Sequence, residues 1–284
     1  MTTYAVTGAS GQLGRLAVEA LISRGIAPAD IVAIARSIGK ISDLADKGVT
    51  VRFGDYDDAA SLDAALKGVD RLLLVSASEP GKRAPQHQAV ITAAENAGVG
   101  HIAYTSILGA TTTSNPLAGE HVATEQALAA SSIPFTLLRN SWYIENYTGQ
   151  VGQYTAAGVI LGATENAILS AATRADFAAA AAVALIAAKA GSVYELGGPS
   201  FTLTDLAEAI TSATGTTVEY RDVTVAELAT AYEGFGMDAG TAGFFAAVDG
   251  SIAKGELFTD TGDLEALIGR KATSLADAVA VAIA

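Results

Sequence analysis

The chain has 284 residues, with 17 Lys or Arg against 30 Asp or Glu (formal net charge −13), 50% hydrophobic residues and no cysteine. Such a chain buries a large core unaided, which excludes a disordered segment and a disulfide scaffold. It also excludes thiolate nucleophiles and cysteine-ligated metals, and its acidity argues against nucleic acid, whose backbone is held by clustered Lys and Arg.

Taken in chain order, Met1 runs straight into the strand-like Thr3–Thr7 with no basic region and long apolar stretch, so no signal peptide is expected and a cytoplasmic location follows. Strands are predicted at Tyr4–Thr7, Ile31–Ala35, Val49–Phe53, Arg71–Val75, His101–Thr105 and Phe135–Leu138, continuously apolar as strands covered on both faces should be. Helices are predicted between them at Leu13–Ser23, Ile41–Asp46, Ala59–Leu66, Pro85–Ala97 and Gly119–Ala130. Gly48, Gly68 and Gly98 stand where each helix must stop before the next strand. This alternation is the α/β pattern of a Rossmann-like, doubly wound parallel sheet.

After Arg139 the rhythm changes to the aromatic and polar Asn140–Tyr147 and then a Gly/Ala-rich segment reaching Ala172. Asp176 can cap the Ala-rich helix that follows, whose twelve apolar residues Phe177–Ala188 fall short of the roughly 18–20 that cross a bilayer. Val193–Leu196 reads as a strand able to return to the main sheet. The nucleotide-binding domain is therefore expected to be discontinuous, residues 1–148 plus about 174–199. A smaller, mostly helical lobe takes about 149–173 and 200–284, with helix starts of capping-box spacing at Thr202…Asp205 and Ser274…Asp277.

The first strand opens into Thr7-Gly8-Ala9-Ser10-Gly11-Gln12-Leu13-Gly14, spaced G-x-x-G-x-x-G ahead of a helix. Gly8 lets the chain turn sharply, Gly11 lets the backbone approach a pyrophosphate, and Gly14 lets helix and strand pack closely. The motif, in this strand–helix context, proposes a dinucleotide rather than incidental glycines. Where an NAD-binding protein carries an acid at the end of the second strand, this chain has Arg36, which can fork onto the 2′-phosphate of NADP for about 1.5–3 kcal/mol. Lys40 is a candidate auxiliary cation, its plainer reading being a solvated lysine. Asp55-Tyr56 falls at the adenine edge, although Asp55 can equally cap the helix near Ala59; Ser76-Ala77-Ser78 would line the nicotinamide ribose side. The Lys82–His87 segment is read as a loop able to fold over the cofactor, its plainer reading being solvated charge.

These residues resemble the NmrA-like atypical short-chain dehydrogenases. The Gly-rich start, Ile31–Arg36, Gly54-Asp55-Tyr56, Arg83–His87, Ala103–Ser106, Leu137–Tyr147, Ala172–Asp176 and Ser251–Phe258 are similar to the type 2 NADPH:quinone oxidoreductases along nearly the whole chain. Triphenylmethane dye reductases are similar relatives. The resemblance implies hydride transfer from NADPH to a quinone without flavin, in a cleft between the two lobes. It places Asn140 near the nicotinamide and the acceptor carbonyl, with Trp142 and Tyr143 as walls and Gln86, Thr105 and Ser106 beside the cofactor. The residues themselves put the site on loops at the strand ends, with Ser106, Asn140, Trp142, Tyr143, Glu145 and Asn146 as candidates; Trp142 can equally be packing between lobes.

The Tyr-x-x-x-Lys pair of ordinary short-chain dehydrogenases is missing: none of the nine tyrosines has Lys four positions on. His121 and Glu125 stand on the corresponding helix, and His121 is expected to face solvent or the lobe interface. A strongly oxidising acceptor tolerates the loss, because positioning and a hydrogen-bond donor such as Asn140 supply the rate. Two other functions stay open: a nucleotide-sensing regulator without turnover, and a reductase of a dye or another activated acceptor. No metal is expected from His87, His101 and His121, whose spacing suits none. A small electrophilic acceptor is the expected partner, with no nucleic acid or membrane, and a homodimer is compatible with the sequence.

Overall fold

The structure is a computed structural model that describes residues 1–284. Nine strands form in chain order: β1 Tyr4–Val6, β2 Ile31–Ala35, β3 Thr50–Phe53, β4 Arg71–Leu74, β5 His101–Ile107, β6 Phe135–Asn140, β7 Val159–Gly162, β8 Val193–Leu196 and β9 Glu219–Asp222. Helices α1 Gln12–Ser23, α2 Ser42–Asp46, α3 Ala59–Leu66, α4 Arg83–Ala97 and α5 Ala118–Ala130 connect the first six strands. Then come α6 Glu145–Thr148, α7 Val151–Ala157, α8 Arg174–Ala187, α9 Leu203–Thr214, α10 Val225–Gly234, α11 Ala239–Ala253, α12 Asp263–Ile268 and α13 Leu275–Ile283. No helix is long and apolar enough to cross a membrane.

The main sheet is parallel throughout, ordered β3-β2-β1-β4-β5-β6-β8. Strand order reverses between β1 and β4, which opens a crevice at the carboxyl ends of those strands. Every residue of β1, β2 and β5 is buried, as a sheet covered on both faces requires. One face packs against α1, α8 and α12, the other against α3, α4 and α5. Ala178, Ala180, Ala181, Ala182 and Ala184 are buried on α8, and their small side chains let it lie close to Ala17, Val18 and Leu21 of α1.

Three boundaries differ from the sequence reading for physical reasons. β5 and β6 run on to Ile107 and Asn140, paired through Ser106↔Arg139 and Ile107↔Asn140, because Glu125 and Glu195 satisfy the Ser106 and Arg139 side chains there. Ser106 and Asn140 thus stand on strand tips rather than loops. The cap of α8 is Thr173, whose hydroxyl accepts from the Asp176 amide at 3.1 Å. Asp176 sits one turn further in, accepting from Thr173 Oγ1 (2.8 Å), Arg270 (2.6 Å) and the Thr273 amide (2.9 Å). The smaller lobe also contains a two-stranded parallel sheet, β7-β9. Glu219-Tyr220-Arg221-Asp222 has no apolar run to announce a strand.

In that lobe Asp249 is 8% exposed and accepts from the Ala163 amide at 2.9 Å. Burial, with Asp222 nearby, pushes its carboxyl up to about 6. A folded value above the unfolded one stabilises the protein below about pH 4, and this contribution is lost as pH rises through about 6. Asp249→Asn keeps an oxygen for the Ala163 amide. It is expected to flatten the stability profile between about pH 4 and 6 and to add up to about 3 kcal/mol at pH 7.5, read by urea denaturation across pH.

Candidate active site

Thr7, just past β1, ties that strand to β4: its hydroxyl donates to the Leu73 carbonyl (3.2 Å) and accepts from the Val75 amide (3.0 Å). Gly8 then takes φ +61°, and the Gly11 amide donates to its carbonyl at 2.9 Å to close the turn. A Cβ on Gly14 would stand 2.4 Å from the Gly8 carbonyl oxygen, so only glycine lets α1 start so close to the turn. Gly11 caps α1 without a side chain, and its first turn holds no acid. The leading N–H groups therefore face outward without a protein acceptor, a ready anion site.

A cleft of about 560 Å³ runs from this turn along the strand ends. Gly8, Ser10, Gly11, Gln12, Leu13 and Gly14 line it, with Arg36, Asp55, Tyr56, Ser76, Ala77, Ser78, Gln86, Ser106, Asn140, Trp142 and Tyr143. Two of the residues expected beside the cofactor do not. Ala9 turns into the core and donates its amide to the Ile34 carbonyl at 3.0 Å, because the sharp turn points successive side chains opposite ways. Thr105 is 1% exposed, and its hydroxyl accepts from the Ser76 amide at 2.8 Å, so it positions Ser76 from behind.

At one end of the cleft Arg36 is exposed and paired with Glu79 at 2.9 Å. Asp58, not Asp55, caps α3, accepting from the Ala60 amide at 3.1 Å, and Asp55 is left on the cleft wall. The Tyr56 hydroxyl donates to the Val75 carbonyl at 3.0 Å. The Arg83–His87 segment is helix, not loop, and its charge is not solvated. Arg83 Nε donates to the Ala77 carbonyl at 2.7 Å, with Glu120 against its other end at 3.3 Å. His87 Nε2 accepts from the Ala77 amide at 2.9 Å. Burial, then the nearby Arg83 charge, holds that imidazole down to about 3, so it is neutral and clamps the Ser76–Ser78 segment. Gln86 donates to Asp57 at 3.2 Å while its Oε1 is buried without a partner.

At the other end Asn140 is 5% exposed, with Oδ1 buried and unpartnered. The Tyr143 ring meets Phe177 edge-on at 5.7 Å and carries the Arg174 guanidinium over its face at 4.3 Å. Burial raises its phenol, against the opposing effects of Arg174 and Asn140. Trp142 does both things asked of it, lining the cleft and packing on the core of the smaller lobe. Glu145 and Asn146 stand outside the cleft lining and hold Arg174, at 3.3 Å and 3.0 Å. Behind the strand tips Ser106 Oγ donates to Glu125 at 2.6 Å. Arg139 grips both oxygens of Glu125 (3.0 and 2.7 Å) and one of Glu195 (2.9 Å).

Sequence reasoning missed Arg83, Arg174 and His121 as cleft residues. His121 is 5% exposed, not solvent-facing; burial first, then Arg83 and His87, depresses its imidazole well below the usual histidine value. The signal available was the i, i+4 spacing of His121 and Glu125, which puts both on the face of α5 turned to the sheet.

The NAD(P)H-binding family profile matches residues 8–188. Quinone oxidoreductase 2 of Escherichia coli K12 is 47% identical over 277 residues, 97% of this chain and 96% of that protein. An NmrA-like family domain-containing oxidoreductase of Aspergillus flavus is 30% identical over 97% of this chain and 93% of its own. Among solved structures, an NADPH-dependent quinone oxidoreductase from Escherichia coli complexed with NADPH superposes with a TM-score of 0.96 at 45% identity, covering 99% of this chain and 100% of that one. A cleft at the sheet's reversal point, a glycine turn feeding an uncapped helix, and these likenesses together place the chain in the NAD(P)H-binding family, among its NmrA-like oxidoreductases.

Proposed function

We propose that the protein is a cytoplasmic NADPH-dependent quinone reductase in which hydride passes directly from the nicotinamide to the acceptor, without flavin. The carrying observation is the single cleft that joins the glycine turn to Asn140, Trp142 and Tyr143. The likeness to a quinone oxidoreductase solved with NADPH supports the reading.

The residues present fit the cofactor. The uncapped start of α1 leaves N–H donors free for a pyrophosphate, and Gln86 Oε1 and Asn140 Oδ1 are buried acceptors that lack a partner in the protein. The turn Gly8–Gly14 would hold the pyrophosphate, with Ala9 shaping it from the core. Arg36 would hold the 2′-phosphate, Asp55 and Tyr56 the adenine edge, and Ser76–Ser78, backed by Thr105, the ribose. Gln86, Ser106 and Asn140 would meet the nicotinamide half. Bound there, NADPH supplies the hydride.

The chain's own part is positioning. Trp142 and Tyr143 offer flat aromatic surface for a planar acceptor. The Asn140 amide is placed on a strand tip, where it can donate to an oxygen that gains charge. Burial keeps the Tyr143 phenol protonated at neutral pH.

Purified protein is expected to oxidise NADPH faster when benzoquinone or naphthoquinone is added. Silence across a panel that also holds a triphenylmethane dye would overturn the reading; nucleotide binding without turnover would point to a sensor. Arg36→Asp exchanges a phosphate partner for a like charge. NADPH affinity is expected to fall about 10- to 100-fold while NADH is nearly spared, by calorimetry.

A further inference from the structure

Four hydrogen bonds fix the protons around His121. His87 Nε2 accepts from the Ala77 amide, so its proton is on Nδ1 and goes to Thr124 Oγ1 at 2.8 Å. The Thr124 hydroxyl in turn donates to the Glu120 carbonyl at 2.9 Å. The Tyr104 hydroxyl, 0% exposed, is left with one hydrogen-bonded acceptor, His121 Nδ1 at 2.7 Å. A buried O–H must be used, so Tyr104 donates and the His121 proton lies on Nε2. That nitrogen makes no hydrogen bond within the protein. Unlike the partnerless buried atoms Gln86 Oε1, Asn140 Oδ1 and the Tyr147 hydroxyl, it is not closed to solvent, and His121 is one of the residues that line the cleft.

We propose that His121, held with its proton on Nε2 by the Tyr104 hydroxyl, is a catalytic hydrogen-bond donor to the acceptor oxygen that becomes negative during quinone reduction. This rests on the quinone-reductase reading. Hydride addition puts an electron pair on the quinone, and one oxygen becomes an oxyanion. His121 keeps its proton while bonding that oxygen, and water supplies the proton that completes the hydroquinone; NADP⁺ leaves. The imidazole serves as a donor rather than an acid because it stays neutral. Arg83 and His87 face it from α4 and Tyr104 from β5, while Glu120 and Glu125 flank it on α5.

His121→Leu is expected to lower kcat with benzoquinone roughly 100-fold, with KM and NADPH affinity by calorimetry changing less than about threefold. His121→Gln, whose amide N–H reaches about as far as Nε2, is expected to recover about tenfold of that loss. Wild-type kcat should be flat from about pH 5.5 to 8; a step near 6.5 that the Gln variant abolishes would show an imidazolium acid and overturn the proposal. So would unchanged kcat in His121→Leu. A second readout needs no turnover. In ¹⁵N-histidine spectra of the NADP⁺-loaded protein, 4-nitrophenolate should shift one Nε2–H resonance, which Tyr104→Phe displaces and His121→Leu removes. Failure of that shift defeats the proposal. Absence of quinone turnover in the wild-type protein would instead defeat the reductase reading.

Discussion

Gly14→Ala is expected to weaken NADPH binding about 100-fold and to cost about 1–3 kcal/mol of stability. The added methyl would lie 2.4 Å from the Gly8 oxygen, 2.7 Å from its carbonyl carbon and 3.0 Å from Ala9 Cα. All three are backbone atoms of the turn, so no side chain can swing aside. α1 must retreat, carrying its free N–H groups away from where the turn presents them. Calorimetry with NADPH and a thermal melt check both parts. Gly119→Ala is the control, since nothing lies within 4 Å of its added methyl, and it is expected to leave both unchanged or slightly raise the melt. Full NADPH affinity in Gly14→Ala would remove the turn as the phosphate site.

The second large effect is expected from Arg139→Ala, at about 3–5 kcal/mol. The Arg139 side chain is 14% exposed and Glu125 9%, so deleting the guanidinium leaves a carboxylate with little water and only Ser106 as partner. Removing one member of such a pair costs more than the pair contributes, because the remaining charge stays desolvated. Arg139→Met combined with Glu125→Leu is therefore expected to recover most of the loss. Urea denaturation measures both. A loss under about 1 kcal/mol in the single variant would show that Glu125 finds water or a proton. Because Ser106 and Asn140 lie at the ends of the strands this network braces, the single variant should also lower turnover.

The order of elements was legible because buried parallel strands are written as short apolar runs, and glycines such as Gly48, Gly68 and Gly98 take φ of +91°, +74° and +73° at helix ends. The glycine turn was legible because its constraint is local. What escaped was set by partners distant in sequence. Arg139 reads as the end of a strand until Glu125 and Glu195 are seen to neutralise it. His121 reads as a surface residue until Tyr104, from the adjoining strand, takes its Nδ1. Arg83 reads as solvated charge until the Ala77 carbonyl and Glu120 enclose it. Ala9 and Thr105 read as cleft residues, yet one points into the core and the other lies behind Ser76. The charged strand β9 exists only through its pairing with β7.

The strand β8 reaches the edge of the main sheet only after the chain has passed through α6, α7 and β7, and α8 covers α1 from the same late segment. During translation the first six strands therefore leave the ribosome with the apolar side of α1 bare and the rim of β6 unpaired. A nascent chain halted near residue 150 should stick to chaperones or clump. Fragments ending there would make poor stand-ins for the nucleotide-binding half, whereas a cut in the 197–202 connection would leave every strand of the main sheet on one piece.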